Sequence, residues 1–400
     1  MILHVDMNCF YASCAIAKSE GKYNSSMPLV VAGDPERRHG IILAATYPAK
    51  VFGIRAGMPL WEAKTRCPEL IAVPADYRAY MDYSDRFMAI MSRYSPLISR
   101  FGIDEAYMDY GGCEGLFGSP ERAANTIRER VKRELDLTVS VGIGRNPLRA
   151  KMASDHKKPD AVTYLDDEAW KRLIWPKPVE ELMYVGRATG RRLRGLGICT
   201  IEQLAHASSV MLMGVFGSVG RELWEHANGI DERKITGVTP PQKCISHSAT
   251  LPRDIWEPAD IAGAVLYQTE RVAFKLREMG RLGRVVGVHL KYSDLSNEGR
   301  QTTLERPTDI TDELYGAAKG LIAEMTAKKP VRQVGVSVSG LTVGPEQITL
   351  FDGAKRQKQH AIDAAADSIR KRYGSHSLMR ARTMCFDYDP KEDFTPFTRG

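Results

Sequence analysis

No apolar run in this sequence reaches the roughly 20 residues that a membrane-spanning helix needs, which points away from an integral membrane protein. The 7 cysteines are odd in number, scattered at 9, 14, 67, 113, 199, 244 and 385, and form no CxxC pair. That argues against a zinc site and a disulfide framework, and it fits a reducing cytoplasm. No internal repeat or low-complexity tract stands out, so neither a solenoid nor a compositionally biased tail is expected. The N-terminus, Met1-Ile2-Leu3-His4-Val5-Asp6, has no basic stretch leading into a long apolar core. It reads as a buried strand and not as a signal peptide.

What is present describes an ordinary globular chain. The 400 residues are too many for one hydrophobic core and suit two to four domains. Apolar residues make up 43% and charged residues 26%. The formal net charge of +7 is compatible with a polyanionic partner but does not demonstrate one.

The first 165 residues alternate short β-rich runs with amphipathic stretches. Strands are expected at 29–31, 41–43, 70–73 and 138–141, and helices at 77–95 and 119–136. This order, with strand pairs interrupted by helices, is that of an α+β ferredoxin-like sheet covered by helices on one face, with an insertion at about 13–74. Residues 166–230 read as wholly helical with frequent glycines. Residues 231–243 are polar and basic with two prolines and no apolar period, as in a tether. Beyond it, β runs at 284–292 and 333–341 and helices at 258–279 and 309–327 suggest a separate α+β domain. A short apolar segment at 347–351 and a basic helix near 356–373 close the chain.

Two segments carry acidic chemistry. Asp6 ends the first strand, and Asp104-Glu105 interrupts the apolar run Phe101-Gly102-Ile103-Asp104-Glu105-Ala106-Tyr107-Met108-Asp109. Neighbouring strand residues point to opposite faces, so Asp104 and Glu105 need a bulge or turn to share a site. If the two strands pair, Asp6 and Asp104 meet on one edge, and three clustered carboxylates call for cations. Few, hard oxygen ligands suit magnesium. A lone Asp-Glu pair would more often cap a hairpin, because short motifs recur by chance. Here a phenol and an ammonium, Tyr47 and Lys50, stand three residues apart at an expected helix start, where both can bind a triphosphate. Lys157-Lys158 follows another helix and offers a further cation.

Taken in order, the stretches HVDMNCFYAS, GIILAATYPAKVFGIRAGMP, FGIDEAYMD and TVSVGIGRNPLRAKMASDHKKPDA resemble those of the Y-family (translesion) DNA polymerases, most closely the bacterial polymerase IV (DinB) branch. The resemblance runs from residue 1 to about 342. It implies a catalytic palm at 1–12 and 75–165, fingers at 13–74, a thumb at 166–230, a linker at 231–243, a little finger at 244–342 and a tail at 343–400. It also implies two magnesium ions per active site, with manganese able to replace them. Asp6 and Asp104 would bridge both ions, Glu105 would bind the one nearer the primer 3′-OH, and the Met7 backbone carbonyl the one on the triphosphate. Amides around Cys9 and Phe10, with Tyr47, Lys50 and Lys158, would hold the triphosphate, while Tyr11 would exclude a 2′-hydroxyl. Three positions depart from the family pattern: Lys50 stands where Arg is usual, Ala44 where a Thr hydroxyl is usual, and Gly102 where Ser is common. None is a metal ligand, so altered nucleotide affinity is expected and not loss of activity. Small residues Ala44, Ala45 and Gly57 suggest a roomy site and low fidelity.

Residues 185–198 resemble a helix-hairpin-helix, with Gly186 and Gly190 near the turn and four arginines within eight residues, Arg187 and Arg191 among them. Such contacts position DNA without reading sequence. A shorter candidate of the same kind is Phe216 to Arg221. The little-finger-like domain is nearly charge-balanced, so Lys243, Ser246, His247, Arg284, Lys291 and Arg332 are chosen as DNA contacts by position alone. Gln347-Ile348-Thr349-Leu350-Phe351 resembles a bacterial sliding-clamp motif, with Leu350 and Phe351 as apolar anchors and Gln347 at the rim. The implied partners are primed DNA, a dNTP and the clamp, for a cytoplasmic monomer with no membrane contact. The rival readings are a catalytically silent DNA-binding relative, a nucleotide cyclase with a similar palm, and a metal-dependent nuclease. The three carboxylates argue against the first, the later domains against the second, and the lack of a further acidic cluster against a proofreading exonuclease.

Overall fold

A computed structural model describes residues 1–34, 40–238, 241–325, 329–343, 353–374 and 376–384. The chain divides into two compact units at about residue 240, inside the stretch expected to be a tether. Among the described residues no helix is long and apolar enough to cross a membrane.

The first unit opens with β1 (Ile2–Met7), α1 (Phe10–Ala17), β2 (Leu29–Ala32), β3 (Ile42–Ala45), α2 (Tyr47–Val51), α3 (Leu60–Arg66) and β4 (Ile71–Pro74). It continues through α4 (Tyr77–Met91), β5 (Ile98–Arg100), β6 (Glu105–Asp109), α5 (Glu114–Phe117), α6 (Pro120–Leu135) and β7 (Val139–Gly144). Next come α7 (Pro147–His156), β8 (Val162–Leu165) and α8 (Asp167–Leu173). The helical part ends with α9 (Arg187–Gly195), α10 (Ile201–His206), α11 (Ser209–Phe216) and α12 (Ser218–Ala227).

A five-stranded sheet runs β5–β6–β1–β7–β8 and is antiparallel except for the β7–β8 pair. Its central strand shows why this sequence makes this layer. Side chains alternate across a strand: Leu3, Val5 and Met7 join a core with Phe87 and Ile90 of α4 and Ile127 and Val131 of α6. Burying each such side chain contributes about 1.5–3 kcal/mol. His4 and Asp6 therefore point to the other face.

That second face is not open, as the one-sided expectation had it. Helix α7 lies across β1, β7 and β8. Its approach depends on two glycines of β7: a Cβ on Gly142 would stand 2.0 Å from the Ala150 carbonyl oxygen, and one on Gly144 would stand 2.6 Å from the Arg149 Cβ. The glycines thus remove the side chains that would hold the helix off the sheet.

A three-stranded sheet, β3–β2–β4, forms a second layer with its own small core of Val30, Ile42, Ala49, Ile54, Leu60 and Ala63. The helices α8 to α12 enclose a third core around Trp170, Leu193, Leu204, Leu212 and Leu223. The indole of Trp170 donates to the Ala227 carbonyl at 3.0 Å, which closes the start of this region onto its end.

The second unit contains β9 (Cys244–Ile255), α13 (Pro258–Glu278), β10 (Arg281–Tyr292), β11 (Asn297–Thr308), α14 (Thr311–Glu324), β12 (Val331–Ser339), β13 (Thr342–Val343) and α15 (Gly353–Tyr373). Its sheet runs β11–β10–β12–β9, with α13 and α14 sharing one apolar core with Val286, Val288, Val334 and Val336. The sequence reading named β10 and β12 but not β9 and β11. These two are the edge strands, and their polar residues hide the period-2 signal. The residues 347–351 singled out as a clamp motif lie outside the described residues.

Candidate active site

The carboxylates meet because β1 pairs with β6. Asp6 stands opposite Glu105 in the register, and the Met7 amide donates to the Asp104 carbonyl at 2.9 Å just before β6 begins. The turn at 102–104 supplies the break in alternation that the adjacent pair needs. It leaves little spare room: a Cβ on Gly102 would lie 3.2 Å from the Glu105 Cγ and 3.3 Å from the Asp104 Oδ1.

Two lysines reach these carboxylates. Lys151 of α7 places its Nζ 2.5 Å from the Glu105 Oε2 and 3.2 Å from the Asp6 Oδ2. Lys158 pairs with the Asp6 Oδ1 at 2.9 Å, and both lysines also pair with Asp155. Asp104 has no such ion pair among the described residues. Burial and the charges of Asp6 and Glu105 push its carboxyl up to about 6. For Glu105, burial acts upward too, but hydrogen bonds with His4 and Lys151 and the lysine charge outweigh it and bring the carboxyl to about 2. Burial opposes the Lys151 charge, yet Asp155, Asp6 and Glu105 hold this ammonium above the ordinary lysine range.

Among the described residues no three Asp, Glu, His or Cys side chains form a closed metal cage. The donor set nevertheless fits magnesium, which takes one or two carboxylates, waters and substrate phosphates and needs no full protein shell. The observation that favours a cation is Asp104, a half-buried carboxyl whose charged form is disfavoured by burial and by its acidic neighbours Asp6 and Glu105.

The phosphate-type groups gather beside this cluster. Cys9 sits at φ 47° as the N-cap of α1 and gives that helix no side-chain cap, so its first amides lack intrahelical acceptors. The Lys50 Nζ lies 3.1 Å from the Cys9 Sγ and 4.5 Å from the centroid of the Tyr47 ring. Burial, followed by Cys9 and Asp6, raises the Tyr47 phenol above its ordinary range. Helix α2, which begins at Tyr47, is only 5 residues long, so the helix-dipole help expected there is small. Phe10 is buried, and Tyr11 packs at 4.6 Å centroid distance against Tyr80. Burial and then Asp104 push the Tyr11 phenol up to about 12.

Two functional neighbours were missed from sequence. Lys151 lay within a quoted stretch but was not singled out; only the crossing of α7 over β1 brings it to Asp6. His4 was legible in principle, since strand alternation puts it on the face of Asp6. It is fully buried, with Nδ1 2.8 Å from the Ser154 Oγ and Nε2 3.4 Å from the Glu105 Oε2. Burial holds its imidazole below the ordinary range despite Glu105.

The remaining candidates separate by geometry. Gly186 caps α9, and Arg187 and Arg191 are exposed. Gly190 is buried, and a Cβ there would lie 2.5 Å from the Glu180 Cγ, so its smallness serves packing and not the approach of a phosphate. Arg192 and Arg194 are exposed too, but Arg192 donates to the Val215 carbonyl and Arg194 pairs with Glu180. In the second unit Lys243 and Arg284 are exposed and Arg332 is half-buried. Lys291 and Ser246 fall on the sheet face away from α13. His247 does not: it faces α13, where its ring contacts the Gln268 Oε1 at 2.5 Å.

Comparison with known proteins gives the family. Residues 5–155 match the model of the impB/mucB/samB family, and residues 242–350 match that of the impB/mucB/samB family C-terminal domain. The chain is 41% identical over 386 residues to DNA polymerase IV of Pelotomaculum thermopropionicum, covering 95% of this chain and 94% of that protein. It is 38% identical over 389 residues to DNA polymerase IV of Acetivibrio thermocellus, covering 95% of this chain and 96% of that protein. Its fold is similar to that of a chimeric Y-family DNA polymerase, with a TM-score of 0.74 at 21% identity, over 86% of this chain and 99% of that one. Matched by both family models and by full-length relatives well above 30% identity, the chain belongs to the Y-family DNA polymerases, in the DNA polymerase IV branch of the impB/mucB/samB family.

Proposed function

We propose that this chain is a template-directed DNA polymerase that adds dNTPs to a primer 3′-OH by two-metal phosphoryl transfer, with low fidelity and no proofreading. The observation that carries this reading is the meeting of Asp6, Asp104 and Glu105 at one end of the paired strands β1 and β6, with Asp104 short of positive charge and Tyr47 and Lys50 alongside.

Asp6, Asp104, Glu105 and the Met7 carbonyl would hold two magnesium ions. Those ions, when bound, supply the charge that activates the primer hydroxyl and stabilises the leaving pyrophosphate; polymerases are among the general examples of such sites. The chain's own groups do the rest. The Cys9 and Phe10 amides, Tyr47, Lys50 and Lys158 bind and orient the triphosphate. They place fixed donors and cations where charge develops. The Tyr11 ring, held by Tyr80, stands as the sugar gate. Lys151 neutralises Asp6 and Glu105 until substrate and its ions arrive, and afterwards remains within reach of the phosphates through its four-carbon stem.

The sheet β5–β6–β1–β7–β8 with its helices serves as the palm, the β3–β2–β4 layer as the fingers and α8–α12 as the thumb. Residues 244–342 serve as the little finger. Gly186, Arg187 and Arg191, with Lys243, Arg284, Lys291 and Arg332, contact the DNA backbone; Gly190 and His247 are left out of that set. Residues 347–351 dock on a sliding clamp, and the protein works as a cytoplasmic monomer.

Single-nucleotide primer extension tests the reading in wild type, Asp104→Ala and Tyr11→Ala, with dNTP and rNTP. Template-dependent dNTP addition that disappears in Asp104→Ala, and rNTP use gained in Tyr11→Ala, is expected. Absence of extension by wild type on every primed template would favour a silent DNA-binding relative.

A further inference from the structure

The buried His4 has no place in the reaction so far, and its surroundings restrict what it can be doing. Among the described residues its Nε2 makes no hydrogen bond of normal geometry, and the Glu105 Oε2 stands 3.4 Å from it. If Nε2 carried only a lone pair, two acceptors would face each other at a fully buried ring, and a buried nitrogen would stay unsatisfied. Nε2 is therefore the nitrogen better placed to carry the proton, which then faces the Glu105 carboxylate.

A neutral ring protonated at Nε2 must accept at Nδ1, and among the described residues the donor there is the Ser154 hydroxyl at 2.8 Å. The same hydroxyl lies 2.8 Å from the Lys151 carbonyl. That carbonyl sits inside α7, where the helical ladder already provides it with a donor. The hydroxyl proton is thus better used on His4. Tyr107, at 4.6 Å centroid distance, packs edge-on against the ring and prevents it from turning.

We propose that His4 is a positioning residue: fixed by Ser154 in the Nε2–H tautomer, it holds the Glu105 Oε2 and so turns the other carboxylate oxygen toward the bound metal. Lys151 reaches that same Oε2 at 2.5 Å, so the oxygen is held from two sides while Oε1 is not. Partners that orient a metal-ligating carboxylate in this way commonly change metal affinity by about 10–100-fold when removed. The proposal rests on Glu105 being a metal ligand, as argued above.

The test has two readouts. In protein labelled with 15N on its imidazoles, long-range 1H–15N correlation assigns the His4 tautomer, with His4→Gln identifying its signals. A protonated Nε2 and bare Nδ1 are expected in wild type; a protonated Nδ1 overturns the proposal regardless of any metal. The second readout is Mn2+ alone, titrated by water-proton relaxation into wild type, His4→Phe, His4→Gln and Ser154→Ala. His4→Phe should weaken Mn2+ about tenfold, Ser154→Ala should weaken it less, and His4→Gln, which restores an N–H donor, should recover most of the loss. Equal Mn2+ affinity in wild type and Ser154→Ala, or in wild type and a folded His4→Phe, would overturn it. Failure of the underlying metal reading looks different: Asp104→Ala would then bind Mn2+ as wild type does, while the tautomer result stands unchanged.

Discussion

The ammonium of Lys151 stands 2.5 Å from the carboxylate of Glu105, in a site that β1 and β6 otherwise fill with negative charge. Lys151 is therefore a built-in counterion, delivered by a helix from elsewhere in the chain. Replacing it by Met leaves Asp6 and Glu105 facing each other without that cation. Removing one partner of a buried pair costs about 3 kcal/mol. Lys151→Met is expected to lower the melting temperature of metal-free protein and to gain more from added magnesium than wild type does. Calorimetry with and without magnesium checks both. Equal gains would show that lysine and metal do not compete.

The Asp104 carboxyl, pushed up to about 6 by burial and its acidic neighbours, gives a signed pH effect. The native state then binds a proton that the unfolded state releases nearer the ordinary aspartate value of 3.8. Between those values stability falls as pH rises, because the native state holds more protons. Asp104→Asn should accordingly stabilise metal-free protein above pH 6 while abolishing primer extension. Melting curves from about pH 4 to 7 would show the gap between variant and wild type opening up to about pH 6 and levelling beyond it; a constant gap throughout would contradict it.

At Gly142 the space for a side chain is missing altogether. A Cβ there would stand 2.0 Å from the Ala150 carbonyl oxygen and 2.3 Å from the Ser154 amide. Gly142→Ala must push α7 outward, taking Lys151 and Ser154 with it. The expected cost is about 3 kcal/mol or more, as for overpacking against backbone. Urea unfolding would measure it, with extension reduced in whatever fraction still folds.

Arg187 and Arg191 offer a contrast with Arg192 and Arg194 in one short helix. Both pairs are exposed, but the second is tied to the Val215 carbonyl and to Glu180. Changing Arg187 and Arg191 together to Ala should weaken binding to any DNA sequence and reduce the salt slope of log K by about 2. Arg192→Ala should instead act mainly on thermal stability. Fluorescence anisotropy across a salt series separates the two classes.

Much of this was legible in the sequence because the relevant signals are local. Apolar alternation fixed β1 and β7 as strands, amphipathic spacing fixed α4 and α6 as helices, and the break at Asp104-Glu105 announced a turn. The edge strands β9 and β11 were not legible, since an edge strand buries little and its polar residues mask the period. Gly190 meets a related limit: a glycine in a basic segment looks the same in sequence whether a phosphate or Glu180 lies against it.

The sequence by itself thus determined which residues carry charge, where the buried strands such as β1 and β7 lie, and that three carboxylates fall at strand ends. Only the tertiary structure decided that Lys151 and His4 belong to the same site as Asp6. They lie 145 residues apart and 2 residues apart from it along the chain, respectively. The first is brought near by a helix crossing that two glycines permit, and the second is committed to Glu105 by a serine on that same helix. Side-chain identity is written in one dimension, but the partner that satisfies a buried polar atom is chosen by packing.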